Sequence, residues 1–154
     1  MSSGTLARQD RPGAGDRSHR GRRAALLGLL VLAAGCATGE IFSLAPDART
    51  PGAAGKVQIS ADGNGNTLLR VGVQYLAPPA NLEPRLTTYV VWIRPSAGRQ
   101  YTNVGQLTAA ENRSGTLAAT TPFQDFGVLV TGEQSGTVNE PSQYVGLRGN
   151  ATRP

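Results

Sequence analysis

Apolar and polar residues alternate in short runs along most of this chain, which is the pattern of half-buried β-strands. The longest run covers residues 86–95 and contains the only tryptophan, Trp92. Tyr89, Val91 and Ile93 share one face of this run and are predicted to lie in the core. The opposite face, which carries Trp92, is predicted to be half covered.

Turn-forming residues separate these runs, and no stretch shows the 3.6-residue period of a useful amphipathic helix. Residues 62–66 (DGNGN) predict a tight hairpin, because Asn and Gly tolerate the positive φ that such turns need. In the strand that follows, Leu69, Val71, Val73 and Tyr75 are predicted to share one face. About seven strands are expected, at residues 56–61, 67–76, 86–95, 101–109, 116–121, 126–133 and 143–149. This spacing predicts an all-β fold, a single antiparallel β-sandwich.

The first 35 residues have a different pattern, which predicts a signal peptide. Residues 1–23 are polar and arginine-rich, and residues 24–34 (AALLGLLVLAA) form an uninterrupted apolar run. This run is shorter than the roughly 20 residues that cross a bilayer as a helix. A positively charged segment followed by a short apolar run is typical of an export signal. Arg22-Arg23 leaves a twin-arginine signal open as an alternative to the general export route.

The net charge of +5 is concentrated in that segment. Six arginines and two aspartates lie within residues 1–36, which leaves nine basic and eight acidic residues in the rest of the chain. A nearly neutral domain offers no basic surface of the kind that binds nucleic acid. The basicity therefore indicates targeting, and no nucleic-acid partner is expected.

The only cysteine, Cys36, follows the apolar run after Gly35. The sequence LAAGC at residues 32–36 resembles the lipobox of bacterial lipoproteins, with Ala33 where leucine is usual. The resemblance implies that the thiol of Cys36 receives a diacylglycerol and that cleavage makes it the lipidated first residue. Anchoring in the membrane through palmitate-type acyl chains is then expected. An ordinary signal peptide with an incidental cysteine, or an uncleaved anchor, is the alternative.

Residues 36–55 are rich in small residues and prolines, and they predict a flexible tether that holds the domain roughly 25 Å from the bilayer. Ile41, Phe42 and Leu44 interrupt this composition and are expected to pack on the domain or rest on lipid. The remaining boundaries predicted are a β-sandwich domain at residues 56–150 and a disordered tail at residues 151–154.

From the central run onward the chain is similar to the extracytoplasmic domain of the anti-sigma-K factor family. Four short motifs carry the similarity: Tyr89-Val90-Val91-Trp92, Asn103-Val104-Gly105-Gln106-Leu107, Val130-Thr131-Gly132-Glu133 and Pro141-Ser142. The similarity implies an immunoglobulin-like β-sandwich outside the cytoplasm. It does not imply sigma-factor binding, which in that family resides in a cytoplasmic helical region that is not recognised here.

No catalytic or metal-binding set of residues is recognised, and the chain is predicted not to be an enzyme. The single histidine, His19, precedes Cys36, so the mature domain is expected to lack a histidine base and a zinc ligand set. Residues 62–66 resemble the start of a calcium loop (D-x-N-x-N), but the twelfth position is Val73, where an EF-hand needs an acidic residue. No metal and no cofactor are expected.

Aromatic residues supply the one candidate binding site. Trp92, Tyr89, Tyr101 and Tyr144 form a possible stacking platform for a sugar or a peptide. The alternative is that these side chains pack in the core or on a face of the sheet, which is the commoner use of such residues.

Together these features predict a non-enzymatic, lipid-anchored protein of the bacterial cell envelope. It would face the periplasm or the exterior and present a β-sandwich interaction domain to an envelope protein. The alternative is a lipoprotein that binds a glycan or a small molecule on an aromatic platform around Trp92. A cell-envelope hydrolase is disfavoured, because the carboxylates show no paired spacing and the mature domain has no histidine.

Overall fold

The computed structural model describes residues 39–110 and 112–153, so the predicted signal peptide and Cys36 lie outside the described residues. The described residues belong to one compact unit. They form one short 3-10 turn, Pro79–Asn81, and nine strands. The strands are β1 (Glu40–Pro46), β2 (Ala54–Ala61), β3 (Thr67–Gln74), β4 (Thr88–Pro95), β5 (Thr102–Gln106), β6 (Thr108–Ala109), β7 (Gly115–Thr121), β8 (Asp125–Glu133) and β9 (Val145–Thr152).

All strand pairs are antiparallel, and the hydrogen-bonded order is β5-β4-β8-β9-β1-β2-β3-β7-β6. Strand β1 belongs to two sheets, because residues 40–44 pair with β2 and residues 45–46 pair with β9. We call β1-β2-β3-β7-β6 the first sheet and β5-β4-β8-β9-β1 the second sheet. Strands β5 and β6 are separated only by Leu107, so the two sheets are also joined by the chain at their other edge, which gives a barrel-like closure.

The topology confirms the predicted immunoglobulin-like sandwich. When β1 is set aside, the first sheet has the order β2-β3-β7-β6 and the second has β5-β4-β8-β9. These orders correspond to strands A-B-E-D and C′-C-F-G of an immunoglobulin domain. Strand β1 is therefore an addition before strand A, and β6 is only two residues long.

The core lies between the inner faces of the two sheets, and aliphatic side chains dominate it. Tyr89, Val91 and Ile93 of β4 lie in the core, which confirms the predicted inner face of the central run. Trp92 projects from the opposite face and is completely buried, so the prediction that it is half covered is wrong. The residues that cover it are described with the candidate site below.

The prediction that Tyr75 shares the inner face of β3 is also wrong. Strand β3 ends at Gln74, and Tyr75 adopts a φ of 57°, in the left-handed region. This reversal turns its side chain outward, where 62% of it is exposed. The inner positions Leu69, Val71 and Val73 are buried as predicted.

The segment that was predicted to be a flexible tether contains β1. Five of its residues pair with β2, and its inward side chains are the partly buried Phe42 and the buried Leu44. Strand pairing together with burial of Leu44 outweighs the high content of small residues, which had indicated a coil. The domain therefore begins at residue 40 rather than at residue 56.

The prediction of a disordered tail is wrong for residues 151–153. Ala151 and Thr152 belong to β9, and Ala151 is completely buried. The guanidinium of Arg153 donates hydrogen bonds to the carbonyl oxygens of Gly65, at 3.0 Å, and Asn66, at 3.4 Å. These bonds connect the end of β9 to the β2–β3 turn.

The strand directions divide the connections between two ends of the sandwich. We call the end at which β1 begins the entry end; it carries the short connections at residues 62–66, 96–101 and 122–124. The other end, which we call the loop end, carries the connections at residues 47–53, 75–87, 110–114 and 134–144. In immunoglobulin variable domains the B–C and F–G loops lie together at one end and bind antigen. Their counterparts here, residues 75–87 and 134–144, lie at the loop end.

Candidate functional site

The four aromatic residues of the predicted platform do not form an exposed surface. Tyr89 and Trp92 project from opposite faces of β4, and both are buried. The Tyr89 hydroxyl donates a hydrogen bond to the carbonyl oxygen of Ala77 at 2.8 Å, and burial raises the pKa of Tyr89 to about 12. The predicted aromatic platform is therefore wrong, because the alternation of a strand places its two central members on different faces.

The two other members lie far from each other in the fold, and each is half-buried. Tyr101 ends the connection at residues 96–101, at the entry end, where the guanidinium of Arg94 lies 5.2 Å from its ring centroid. Tyr144 ends the connection between β8 and β9 at the loop end, with Arg49 at 6.0 Å. Each tyrosine is therefore next to an arginine, at a cation–π distance, rather than next to another aromatic ring.

The connection between β8 and β9, residues 134–144, covers the outer face of the second sheet, and we call it the covering loop. The side-chain amide of Asn103, on β5, donates to the carbonyl oxygens of Gly136, at 3.0 Å, and Val138, at 2.8 Å. The loop therefore reaches from β8 to β5, and β4 lies between these two strands. This path explains why Trp92, on the outer face of β4, has no exposed surface.

A chain of hydrogen bonds runs beneath the covering loop. The indole N–H of Trp92 donates to Oγ1 of Thr131 at 2.7 Å, and the Thr131 hydroxyl donates to Oε1 of Glu133 at 2.5 Å. The backbone N–H of Ser142 donates to the same carboxylate oxygen at 2.8 Å. Since Glu133 is buried, this carboxylate fastens the covering loop to the sheet rather than facing a ligand.

Sequence reasoning did not find this set of hydrogen bonds. Thr131 and Glu133 follow the alternation of β8, but their position on an outer face gave no reason to expect burial. Ser142 lies nine residues after Glu133, and only the path of the covering loop brings the two together. The sole signal in the sequence is that Trp92 shares an outer face with Val90. If this face were uncovered, both apolar side chains would be exposed to solvent, which is unfavourable.

The turn at residues 62–66 forms as predicted. Oδ1 of Asp62 accepts hydrogen bonds from the backbone N–H groups of Asn64 and Asn66, both at 2.8 Å. Oδ2 accepts one from the side-chain amide of Asn66 at 3.1 Å. These bonds lower the pKa of Asp62, and they use its oxygens within the turn. In the part of the chain that the structure describes, no group of three potential metal ligands is found.

An apolar pocket of about 230 Å³ lies at the loop end. Leu76, Pro78 and Pro79 form one wall, Leu107 contributes from the crossing between the sheets, and Arg113 belongs to the β6–β7 connection. Pockets for drug-sized ligands measure about 300–1,000 Å³. This pocket therefore suits one side chain of a partner, or a very small ligand.

Backbone strain is concentrated beside this pocket. Among the described non-glycine residues, only Tyr75 and Arg113 have a positive φ, at 57° and 60°. Their segments are joined, because the N–H of Leu76 donates to the carbonyl oxygen of Arg113 at 3.1 Å. A left-handed conformation costs a side-chain-bearing residue about 1–2 kcal/mol, and such residues cluster at binding sites. The loop end is therefore the best-supported candidate site.

Comparison with protein-family models and with curated proteins gives no match for this chain. The similarity of its short motifs to the anti-sigma-K factor family therefore stays a prediction. Within residues 39–110 and 112–153, no helix has the length and apolar character needed to cross a bilayer.

Proposed function

We propose that this chain is a lipid-anchored protein of the bacterial cell envelope, and that it presents an immunoglobulin-like domain to another envelope protein. The lipobox-like sequence before Cys36 supports the anchor. The proposed contact surface is the loop end, with its apolar pocket and its exposed Tyr75.

The position of β1 is the observation that carries this proposal. Strand β1 begins at Glu40, four residues after Cys36. Because β1 enters at one end of the sandwich, an anchor at Cys36 holds that end near the membrane. The loop end lies at the other end of the strands and stays open to a partner.

The geometry favours binding over catalysis. The carboxylate of Glu133 is buried beneath the covering loop, and that of Asp62 is engaged in its turn. Asp47 forms an ion pair with Arg148. Three of the described carboxylates therefore serve the fold, and we propose that the apolar pocket at the loop end serves recognition instead.

The anchor is tested by metabolic labelling with a palmitate analogue. The full-length protein is expected to incorporate the label, and a Cys36→Ser variant is expected to lose it and to leave the membrane fraction. Absence of label in the wild-type protein, or label that persists in Cys36→Ser, would contradict the anchor.

The contact surface is tested by photo-crosslinking in intact cells. A photoreactive amino acid in place of Tyr75 is expected to give a discrete protein adduct, because this side chain is exposed beside the pocket. The matched control places the same amino acid at the exposed Asn150, on β9 of the second sheet. An adduct from position 150 with none from position 75 would contradict the loop end as the contact surface.

A further inference from the structure

The outer face of the first sheet carries positive charge, and no carboxylate among the described residues lies on it. Lys56 on β2 and Arg70 on β3 are exposed there, and the other described side chains on this face are uncharged. Glu40 does not belong to this face, because it pairs with the inward-facing Ile59. We call the surface formed by Ile41, Lys56 and Arg70 the basic face.

An exposed apolar side chain lies within this charged surface. Ile41 pairs with Gln58, which pairs in turn with Arg70, so these residues form one row across β1, β2 and β3. The Ile41 side chain is 63% exposed, the highest value among the large apolar side chains of the described residues. Lys56 lies two residues before Gln58, and all four residues line one shallow depression.

The corresponding surface of the second sheet is different. The covering loop lies over it, and it holds the buried Glu133. Its two exposed cations are both engaged, since Arg148 pairs with Asp47 and the guanidinium of Arg94 lies 5.2 Å from the ring centroid of Tyr101. Of the two outer faces, only that of the first sheet therefore combines exposed cations with an exposed aliphatic side chain. Such a combination matches the interface of a membrane with anionic lipids.

The distance from the proposed anchor makes this match physically possible. The chain from Cys36 to Glu40 spans at most about 14 Å even when fully extended. Ile41 is the next residue, and its side chain projects from the basic face. A lipid on Cys36 therefore holds Ile41 close to the headgroups and leaves too little chain for the domain to stand far from the bilayer.

We propose that the basic face rests on the anionic headgroups of the membrane that holds the anchor, with Lys56 and Arg70 near the phosphates and Ile41 at the interface. This inference rests on the anchor at Cys36 proposed above. Each basic residue near an anionic surface contributes a factor of about five in binding. Two such residues hold a free domain weakly, but they suffice to orient a domain that is already confined at the surface.

Lys56 permits a direct test, because it is the only lysine in the chain. Residues 36–154 include every described residue, and these belong to one compact unit, so the chain from Cys36 onward is used and Cys36 is coupled to a maleimide lipid. The coupled protein is placed on vesicles of phosphatidylcholine, with or without phosphatidylglycerol. The rate at which an uncharged reagent acylates Lys56 is measured by peptide mass spectrometry.

Acylation of Lys56 is expected to be at least about fivefold slower on the vesicles that contain phosphatidylglycerol. The difference should vanish at about 1 M salt, where the screening length is about 3 Å. A lysine introduced by Asn150→Lys, on the outer face of the second sheet, should react at the same rate on both vesicles. Equal rates at Lys56 on both vesicles, or equal slowing at both lysines, would overturn the proposal.

A pair of variants with the same change in charge distinguishes an effect of the basic face from an effect of the net charge of the domain. Arg70→Glu is expected to abolish the protection of Lys56, whereas Arg85→Glu, in the exposed β3–β4 connection, should preserve it. Loss of protection in both variants would overturn the assignment to the basic face. Since the maleimide supplies the anchor, these outcomes do not depend on natural lipidation, which the palmitate labelling tests separately.

Discussion

The outer face of the second sheet is covered by the chain itself, whereas the outer face of the first sheet is open to solvent along β2, β3 and β7. The covered face holds the buried Trp92 and Glu133, joined by hydrogen bonds. The open face holds the exposed cations Lys56 and Arg70. One outer face of the sandwich is therefore buried and contributes to the stability of the fold, whereas the other stays exposed and is the face that we propose contacts the membrane.

The largest effect is expected from Trp92→Ala on the covered face. Removing a buried aromatic side chain costs about 3–5 kcal/mol in the free energy of unfolding. Gln58→Ala, at an exposed position on the open face, should change it by less than about 0.5 kcal/mol. Urea unfolding followed by circular dichroism measures both values. Similar values for the two variants would show that the covering loop does not bury Trp92 in solution.

The next largest effect is expected from Leu44→Ala, which tests whether β1 belongs to the sandwich. Loss of a buried leucine side chain costs about 2–5 kcal/mol, and Leu44 is 3% exposed. Ser43→Ala, one position away and exposed, is the matched control and should be nearly neutral. If Leu44→Ala leaves the free energy of unfolding in urea unchanged, the result would support a flexible tether in place of β1.

Thr131→Val probes the hydrogen bonds beneath the covering loop while it nearly preserves the shape of the side chain. The change leaves the indole N–H of Trp92 without its acceptor, and a buried unsatisfied donor costs about 1–3 kcal/mol. Thr116→Val, on the open face, should cost less than about 0.5 kcal/mol. The two are compared by urea unfolding, and equal losses would mean that the hydrogen bonds to Thr131 contribute nothing measurable.

The smallest effect is expected at the turn that joins β2 and β3 of the open sheet. Hydrogen bonds from the Asn66 side chain and from the N–H groups of Asn64 and Asn66 hold the pKa of Asp62 below its usual 3.8. A carboxylate with a lowered folded-state pKa stabilises the fold above its unfolded pKa, and this contribution is lost as the pH falls through the folded-state pKa. Asp62→Asn should therefore show a shallower loss of stability below pH 3.8. If thermal unfolding shows the same dependence of stability on pH for the wild-type protein and for Asp62→Asn, the result would contradict these hydrogen bonds.

Several features of the fold could be predicted from local sequence. Alternation identified the inner positions of β3, up to Val73, and of β4, because a half-buried strand needs an apolar residue at every second position. The turn at residues 62–66 followed from Asn and Gly, whose backbones tolerate positive φ. Strand β1 was missed because its neighbours are small residues and prolines, and its partners lie at distant positions in the chain.

The candidate site was predicted less well than the fold. Aromatic composition indicated a platform, but alternation along β4 separates Tyr89 from Trp92, and the covering loop buries the latter. The pocket at the loop end is formed by residues from three separate connections, so no local sequence pattern predicts it. The positive φ of Tyr75 and Arg113 likewise has no signature, since both residue types ordinarily avoid this conformation.

The sequence by itself determined the all-β sandwich class of the domain, the inner face of its central strand and the expectation of a lipid at Cys36. These depend on residues that are close in the chain. Only the tertiary structure decided that Trp92 is buried, that β1 joins both sheets and that the two outer faces differ. The reason is that burial of an outer face depends on where a connecting loop lies, and this depends on contacts between residues far apart in sequence, such as Asn103 and Val138.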